Sequence, residues 1–140
     1  MGDSPLAVAR HVIVIDDDPS IRRLIELILR HEGYRLSLLG SPVGILDRAR
    51  ADRPDLIITD LMMPQVNGLQ LLHALKAEPD LSEIPVILIT GAGQQSQIDL
   101  ALALGAATCL YKPFAQAQFV AAVRAALAGD GPTTHDGRRI

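Results

Sequence analysis

The sequence predicts a doubly wound α/β domain, in which helices cover both faces of a parallel β-sheet. The chain has 140 residues, 49% of them hydrophobic, which is typical of one compact domain. Short apolar runs rich in Val and Ile recur without strict alternation, as in strands that are buried on both faces. Segments with helical periodicity separate these runs, and this alternation favours parallel strands joined by right-handed crossovers.

The elements follow one another in a regular order. Strands are predicted at residues 12–15, 36–39, 56–59, 86–90 and 108–111. The first helix has apolar residues at i, i+3, i+4, i+7 and i+8 from Ile21 to Leu29, and Gly33 is placed to end it. Four further helices are predicted at residues 42–50, 69–77, 94–104 and 115–127. Gly44 is expected to weaken the helix that contains it by about 1 kcal/mol.

Composition and charge exclude several classes of protein. The net charge is −3 and the pI about 5.7, and the basic residues are scattered, so we expect no direct contact with nucleic acid. No apolar run approaches the ~20 residues that span a bilayer, so no membrane association is expected. The single cysteine, Cys109, and the lack of a signal-like apolar region predict a cytoplasmic protein.

The ends of the chain differ in composition from its centre. Residues 129–140 are polar, rich in Gly and without periodicity, so we expect a flexible C-terminal tail there. Residues 1–9 form a short N-terminal extension. The predicted domain therefore covers residues 10–128.

Polar side chains collect where the predicted strands end. The first strand is followed by Asp16, Asp17 and Asp18, the third by Asp60, the fourth ends at Thr90, and the fifth is followed by Lys112. In open parallel sheets, ligands bind beyond the carboxyl ends of the strands, at the point where the strand order reverses. We therefore expect these side chains to form one site.

The residue types at these positions indicate phosphoryl chemistry. Neighbouring carboxylates require either a raised pKa or a cation, and a site with oxygen ligands favours Mg²⁺ or Mn²⁺. The ammonium group of Lys112 and the hydroxyl group of Thr90 suit two oxygens of a phosphoryl group. A carboxylate among them can act as a nucleophile that forms an aspartyl phosphate, and Asp60 is the best candidate.

Five segments resemble the receiver domain of two-component response regulators, the CheY-like superfamily, in that family's order and spacing. They are "VIVIDDDP" (12–19), "DLIITDLMMPQVNGL" (55–69), "PVILITG" (85–91), "ALALGA" (101–106) and "YKPF" (111–114). The match covers about residues 10–128. It implies a flavodoxin-like sheet with strand order 2-1-3-4-5 and five helices.

The resemblance implies a role for each site residue. Asp60 is the phosphoacceptor, and Thr90 and Lys112 contact the phosphoryl oxygens and take part in switching. The implied ligands of Mg²⁺ are the carboxylates of Asp16, Asp17 and Asp60 and the backbone carbonyl of Met62. Lys112-Pro113 resembles a pair that is cis in the family.

The resemblance also implies partners. The phosphoryl donor is a sensor histidine kinase or a histidine phosphotransfer protein, and the phosphorylated domain switches the binding of an unknown downstream protein. The domain is therefore a signalling phosphoacceptor rather than an enzyme. It is expected to be a monomer, or a weak dimer through the face formed by the fourth helix, fifth strand and fifth helix.

Two positions depart from the family pattern or from a shared role. Cys109 stands where the family usually has the Tyr or Phe of its switch, and Tyr111 lies on the same face of the strand, so Tyr111 is hypothesised to take over part of that role. Asp18 precedes Pro19 and is predicted to be the N-cap of the first helix rather than a metal ligand.

Two alternatives remain open at this point. A phosphohydrolase of the haloacid dehalogenase type carries an Asp-x-Asp pair after its first strand, and Asp16 and Asp18 have that spacing. A pseudo-receiver has the fold without being phosphorylated, and Cys109 is the only residue that favours it. A dinucleotide-binding domain is disfavoured, because no G-x-G-x-x-G motif follows the first strand.

Overall fold

The computed structural model describes residues 9–63, 67–91 and 95–129. Its strands are β1 (His11–Ile15), β2 (Arg35–Leu39), β3 (Leu56–Asp60), β4 (Val86–Thr90) and β5 (Thr108–Tyr111). Its helices are α1 (Pro19–His31), α2 (Ile45–Ala51), α3 (Gly68–Ala77), α4 (Gln95–Ala103) and α5 (Gln116–Leu127). The predicted extension and tail lie almost entirely outside the described residues, so they stay predictions.

The five strands form one parallel sheet in the order β2-β1-β3-β4-β5. In the register of the sheet, Ile15 lies beside Leu39 on one side and Thr59 on the other, and Thr90 lies beside Tyr111. The predicted doubly wound α/β fold and its strand order are therefore confirmed. Because β1 and β3 are neighbours, the residues that follow them meet at one edge of the sheet.

Each face of the sheet carries its own apolar core. On one face, α1 and α5 cover the sheet with side chains that include Ile25, Leu29 and Phe119. On the other face, α2, α3 and α4 contribute side chains that include Leu72 and Ala101. Strands β1, β3 and β4 are buried throughout, which explains why their sequences do not alternate between apolar and polar residues.

Glycines with a positive φ lie just beyond the end of α1 and just before the start of α2. The backbone of Gly33 has φ +90° just beyond the end of α1, in the left-handed conformation that favours Gly. Helix α2 starts at Ile45, three residues after the predicted start, because Gly44 has φ +78° and cannot be part of a right-handed helix. Gly44 therefore precedes α2, and the predicted interior cost does not apply.

Candidate functional site

Four strands deliver polar side chains to the carboxyl edge of the sheet. Asp16 directly follows β1, Asp60 is the last residue of β3, Thr90 is the last residue of β4, and Lys112 directly follows β5. Asp16, Asp60 and Thr90 are buried, although each is polar. Polar groups in such positions are expected to have partners, so their contacts identify what the site is built to hold.

Three carboxylates at this edge form a compact cluster. One oxygen from each of Asp16, Asp17 and Asp60 lies within 4.8 Å of the other two. Asp16 and Asp60 form its buried base, and Asp17 is exposed on its solvent side. Three carboxylates clustered in this way match the oxygen ligands that Mg²⁺ prefers.

Lys112 lies between two of these carboxylates. Its Nζ is 3.1 Å from Asp60 Oδ2 and 3.3 Å from Asp16 Oδ2, and its backbone N–H donates to the carbonyl of Thr90 at 2.7 Å. Burial alone would lower the pKa of Lys112, but the hydrogen bond and charge of Asp60, with the charge of Asp16, raise it overall. The side chain of Lys112 is therefore protonated and positively charged. The Lys112-Pro113 peptide bond is cis, as the resemblance to the family implied.

The negative charge of the Asp16 carboxylate is only partly neutralised by its surroundings. Burial, followed by the charge of Asp60, raises its pKa, although its Oδ1 accepts a hydrogen bond from the Asp18 N–H at 2.9 Å and Lys112 acts in the opposite direction. Among the described residues, Asp16 Oδ2 accepts no hydrogen bond and has only the ionic contact with Lys112. A buried carboxylate oxygen without a hydrogen bond, in a cluster of acids, fits a divalent cation.

The two oxygens of Asp60 have different partners. The Met62 N–H donates to Oδ1 at 3.2 Å, and the Lys112 ammonium group donates to Oδ2. The Met62 side chain is exposed, whereas that of Met63 is buried in the core beneath α3. Met62 thus contacts Asp60 through its backbone N–H, and the role expected for its carbonyl stays a prediction.

Asp18 lies outside the carboxylate cluster. It occupies the N-cap position of α1, where its side chain accepts a hydrogen bond from the Ser20 N–H at 2.8 Å and Pro19 is the first helical residue. The Asp-x-Asp spacing required by the haloacid dehalogenase alternative therefore joins a buried cluster residue to a helix cap.

Cys109 and Tyr111 lie on the same face of β5 but have different surroundings. Cys109 packs against the core beneath α3 and α4, and burial raises the pKa of its thiol to about 12. The hydroxyl of Tyr111 donates to Oε1 of Gln95 at 2.6 Å, and Nε2 of Gln95 donates to Asp99 at 3.0 Å. Tyr111 therefore connects β5 to the first residue of α4.

Gly68 and Asn67 position the start of α3 in ways that the sequence analysis did not foresee. A Cβ on Gly68 would lie 2.9 Å from the carbonyl oxygen of Asp60, so only Gly allows α3 to start this close to β3. Asn67 and Gln70 form a capping box, with each side chain bonded to the other residue's backbone N–H. The Asn-x-x-Gln spacing resembles the capping-box pattern and was the available signal.

Arg22 was also missed. Its Nη1 donates to the backbone carbonyl of Asp16 at 2.6 Å, although Arg22 lies in the first turns of α1 and is separated from Asp16 by the helix cap. An Arg on a predicted helix gives no indication that its side chain folds back toward the preceding strand.

Among the described residues, no helix combines the length and apolar character needed to cross a bilayer.

The chain matches the family model described as "Response regulator receiver domain" over residues 12–124. It is 35% identical over 118 residues to "DNA-binding response regulator MtrA" of Mycolicibacterium smegmatis, which covers 84% of this chain and 50% of that protein. It is 34% identical over 126 residues to "Probable transcriptional regulatory protein TcrX" of Mycobacterium tuberculosis, covering 89% and 53%. The chain thus spans about half the length of these curated relatives.

These relatives show that one prediction was wrong. The scattered basic residues led us to expect no direct contact with nucleic acid, yet MtrA is named a DNA-binding protein and TcrX a transcriptional regulatory protein. The physical reason is that net charge describes only the segment in which it is counted. The matched segment is about half of each relative, so its charge carries no information about what the other half binds.

A solved structure supports the same assignment. The signal receiver domain of a signal transduction histidine kinase from Syntrophus aciditrophicus superposes with a TM-score of 0.79 and 30% sequence identity, covering 91% of this chain and 96% of that one. The strand order and the sequence matches both agree with this assignment. The chain belongs to the response regulator receiver domains of two-component systems.

Proposed function

We propose that this receiver domain accepts a phosphoryl group on Asp60 from a phosphohistidine of a sensor histidine kinase or a histidine phosphotransfer protein. The observation that carries the proposal is the Lys112 ammonium group, held 3.1 Å from Asp60 and 3.3 Å from Asp16 in a cluster with a third carboxylate. Lys112 can neutralise only part of this charge. The remainder is available for a divalent cation and, with it, for a phosphoryl group.

In this proposal Asp16, Asp17 and Asp60, with the backbone carbonyl of Met62, hold Mg²⁺. When bound, the cation neutralises charge on the transferred phosphoryl group. A compatible geometry is already present in the chain. Asp16 and Asp60 are buried and oriented by hydrogen bonds, so little side-chain movement is needed to bring their oxygens together.

The remaining chemistry falls to side chains of the chain itself. A carboxylate oxygen of Asp60 attacks phosphorus, the bond between phosphorus and the donor's imidazole nitrogen breaks, and the nitrogen keeps that electron pair. Lys112, which is already beside Asp60, donates to one phosphoryl oxygen, and the hydroxyl of Thr90 at the end of the neighbouring strand donates to another. Such positioned donors lower the barrier because charge spreads onto these oxygens in the transition state.

The test is to incubate the 140-residue protein with MgCl₂ and acetyl phosphate, a small-molecule phosphoryl donor, and to measure bound phosphate by intact-mass spectrometry. The proposal predicts up to one phosphate per chain, labile in base, and no incorporation into Asp60→Asn. Asp55→Asn, a change just before β3 at the opposite edge, is the matched control and should be phosphorylated like the wild type.

The alternatives give other results in the same experiment. A pseudo-receiver would take up no phosphate and would bind no beryllofluoride, a mimic of the phosphoryl group. A phosphohydrolase would release phosphate from small esters over many turnovers. Incorporation that persists in Asp60→Asn would refute Asp60 as the acceptor.

Tyr111 is proposed to carry part of the switch, together with Thr90, because Cys109 has no ring to move. Its support is the 2.6 Å hydrogen bond from the Tyr111 hydroxyl to Gln95, which connects β5 to α4. We expect Tyr111→Ala to remove most of the beryllofluoride-dependent shifts of α4 amides in NMR spectra. Shifts of wild-type size in Tyr111→Ala would show that Tyr111 plays no part, and Cys109→Ala serves as the matched control on the same face.

The output of this domain is proposed from its relatives. Since MtrA is named a DNA-binding response regulator, we propose that phosphorylation of Asp60 controls DNA binding, in the same polypeptide or in a partner protein. The proposed assembly is a monomer that can form a weak dimer through α4, β5 and α5. Sedimentation velocity with and without beryllofluoride tests the dimer.

A further inference from the structure

Asp16 and Asp17 share one peptide group, and the orientation of that group affects both of their carboxylates. The carbonyl oxygen of the group belongs to Asp16 and its N–H to Asp17, and resonance keeps the group planar. Any contact that holds the carbonyl therefore restricts the backbone on both sides of it. This peptide lies just beyond β1, where the sheet no longer defines every backbone contact.

The backbone N–H of Asp16 is bonded to the neighbouring strand, whereas its backbone carbonyl is bonded to a side chain. The Asp16 N–H donates to the Leu39 carbonyl at 3.0 Å, which continues the pairing of β1 with β2. The Asp16 carbonyl accepts from Arg22 Nη1 at 2.6 Å. Arg22 therefore takes the place of the next strand contact at the point where the chain leaves the sheet.

The guanidinium group of Arg22 is itself confined. It packs against Gly40, where a Cβ would come within 3.1 Å of Nη1, and Arg22 is half-buried. Gly40 follows β2, the strand whose end carries no ionisable group. The space beside Gly40 thus admits the guanidinium group, so the end of β2 contributes to the site through this contact.

We propose that Arg22 is a positioning residue for the metal site: its hydrogen bond to the Asp16 carbonyl fixes the peptide that joins the two acidic residues. This inference rests on the proposed function, because it assigns Arg22 a role in binding the cation. Contacts that orient metal ligands commonly change metal affinity by about 10- to 100-fold when they are removed. Arg22→Ala is therefore expected to raise the dissociation constant for Mg²⁺ by about tenfold or more.

The direction in which Arg22→Ala changes the Mg²⁺ affinity distinguishes a positioning role of Arg22 from an effect of its charge. Arg22 is a cation near a site for a cation, so through Coulomb repulsion alone its removal would tighten Mg²⁺ binding. A positioning role predicts weaker binding. Arg23 is the matched control, since it is the next residue of α1, is exposed and pairs with Glu26 at 2.8 Å. We expect Arg23→Ala to leave the affinity unchanged or slightly tighter.

The experiment is a calorimetric titration of MgCl₂ into the 140-residue wild type, Arg22→Ala, Arg22→Lys and Arg23→Ala, each shown to be folded by circular dichroism. Arg22→Lys keeps a donor and the charge and is expected to recover part of the lost affinity. Equal or tighter binding by Arg22→Ala would overturn the inference, as would an Arg22→Lys variant that binds no better than Arg22→Ala.

A second measurement needs no metal. The hydrogen bond to the Asp16 carbonyl polarises the peptide group that Asp16 and Asp17 share, and its loss reduces this polarisation. The chemical shift of the Asp17 amide nitrogen should therefore change in metal-free Arg22→Ala but not in Arg23→Ala. An unshifted Asp17 amide in Arg22→Ala would overturn the inference even if Mg²⁺ binds. If the wild type binds no Mg²⁺, the proposed function fails, and the Asp17 shift still decides whether Arg22 holds this peptide.

Discussion

At the amino end of the sheet, the carboxylates of Asp52 and Asp55 have hydrogen-bond donors, whereas at the carboxyl end the carboxylates outnumber the ammonium group that contacts them. At the amino end, Asp55 Oδ2 accepts from the His11 N–H at 2.8 Å, and the Asp55 N–H donates to the His11 carbonyl at 2.7 Å. At the carboxyl end, Lys112 contacts Asp16 and Asp60, and Asp17 belongs to the same cluster of carboxylates. The carboxylates at the amino end of the sheet therefore have partners within the protein, whereas the carboxylates at the carboxyl end are neutralised only in part.

Further contacts at the amino end follow the same pattern. Arg35 makes two hydrogen bonds to Asp52, at 2.8 and 3.0 Å, and the hydrogen bonds lower the pKa of Asp52. Lys76 is partly buried and donates to the carbonyls of Ser82 and Ile84 at 2.9 and 3.2 Å. Buried or paired polar groups of this kind contribute to the fold without requiring a ligand.

The direction of the pKa shifts summarises the difference. A basic partner lowers the pKa of Asp52, whereas burial raises the pKa of Asp16. A raised carboxylate pKa means that the folded protein holds this group at an energetic cost when it is ionised. Such a cost is common at functional sites, where the missing partner is supplied by a ligand.

The largest expected effect is stabilisation by Mg²⁺, the cation proposed to bind the carboxylate cluster. At 100 times its dissociation constant, a ligand that binds only the folded state adds about 2.7 kcal/mol to the free energy of unfolding. We expect MgCl₂ to stabilise the wild type in urea denaturation and to leave Asp17→Ala unchanged, because Asp17 is exposed and its proposed role is that of a ligand. Equal stabilisation of both proteins would show that the cluster does not bind the cation.

The second prediction compares single substitutions at the two ends in metal-free protein at pH 7. Asp55→Ala removes the acceptor of a buried backbone N–H and is expected to cost about 1 to 3 kcal/mol. Asp16→Asn keeps an acceptor for the Asp18 N–H but removes the charge, and is expected to add about 1 kcal/mol. Urea denaturation in the presence of a chelator measures both changes.

The pH dependence of the Asp16→Asn effect follows from the sign of the shift. Because the pKa of Asp16 is raised in the folded state, its favourable contribution is complete below the unfolded pKa and is lost as the pH rises through the folded pKa. The gain from Asp16→Asn should therefore be largest near pH 7 and disappear below about pH 4. A gain that stays constant with pH would rule out the charge as its cause.

The smallest effect is expected at the helix cap. Asp18→Ala removes the acceptor of the Ser20 N–H and is expected to cost about 1 kcal/mol of stability. It should leave the Mg²⁺ affinity close to that of the wild type, unlike Asp17→Ala one residue earlier. Loss of Mg²⁺ binding in Asp18→Ala would place this residue in the carboxylate cluster and blur the contrast between cap and site.

Regular patterns allowed most of the fold to be predicted. The apolar runs gave each strand to within one residue at either end, because strands buried on both faces consist mostly of apolar residues. The start of α2 was misplaced, because periodicity does not show that Gly44 has a positive φ. The candidate site residues were found because parallel strands all end at one edge, and the structure places them there.

The sequence by itself determined the alternation of strands and helices, the acidic and basic residues at the strand ends, and the family. These features are local, or are repeated at fixed spacings along the chain. Only the tertiary structure decided that Lys112 lies between Asp60 and Asp16, that Tyr111 reaches Gln95, and that Arg22 turns back to the Asp16 carbonyl. Such contacts depend on the direction and distance of side chains brought together by the order of the strands, which no spacing along the chain specifies.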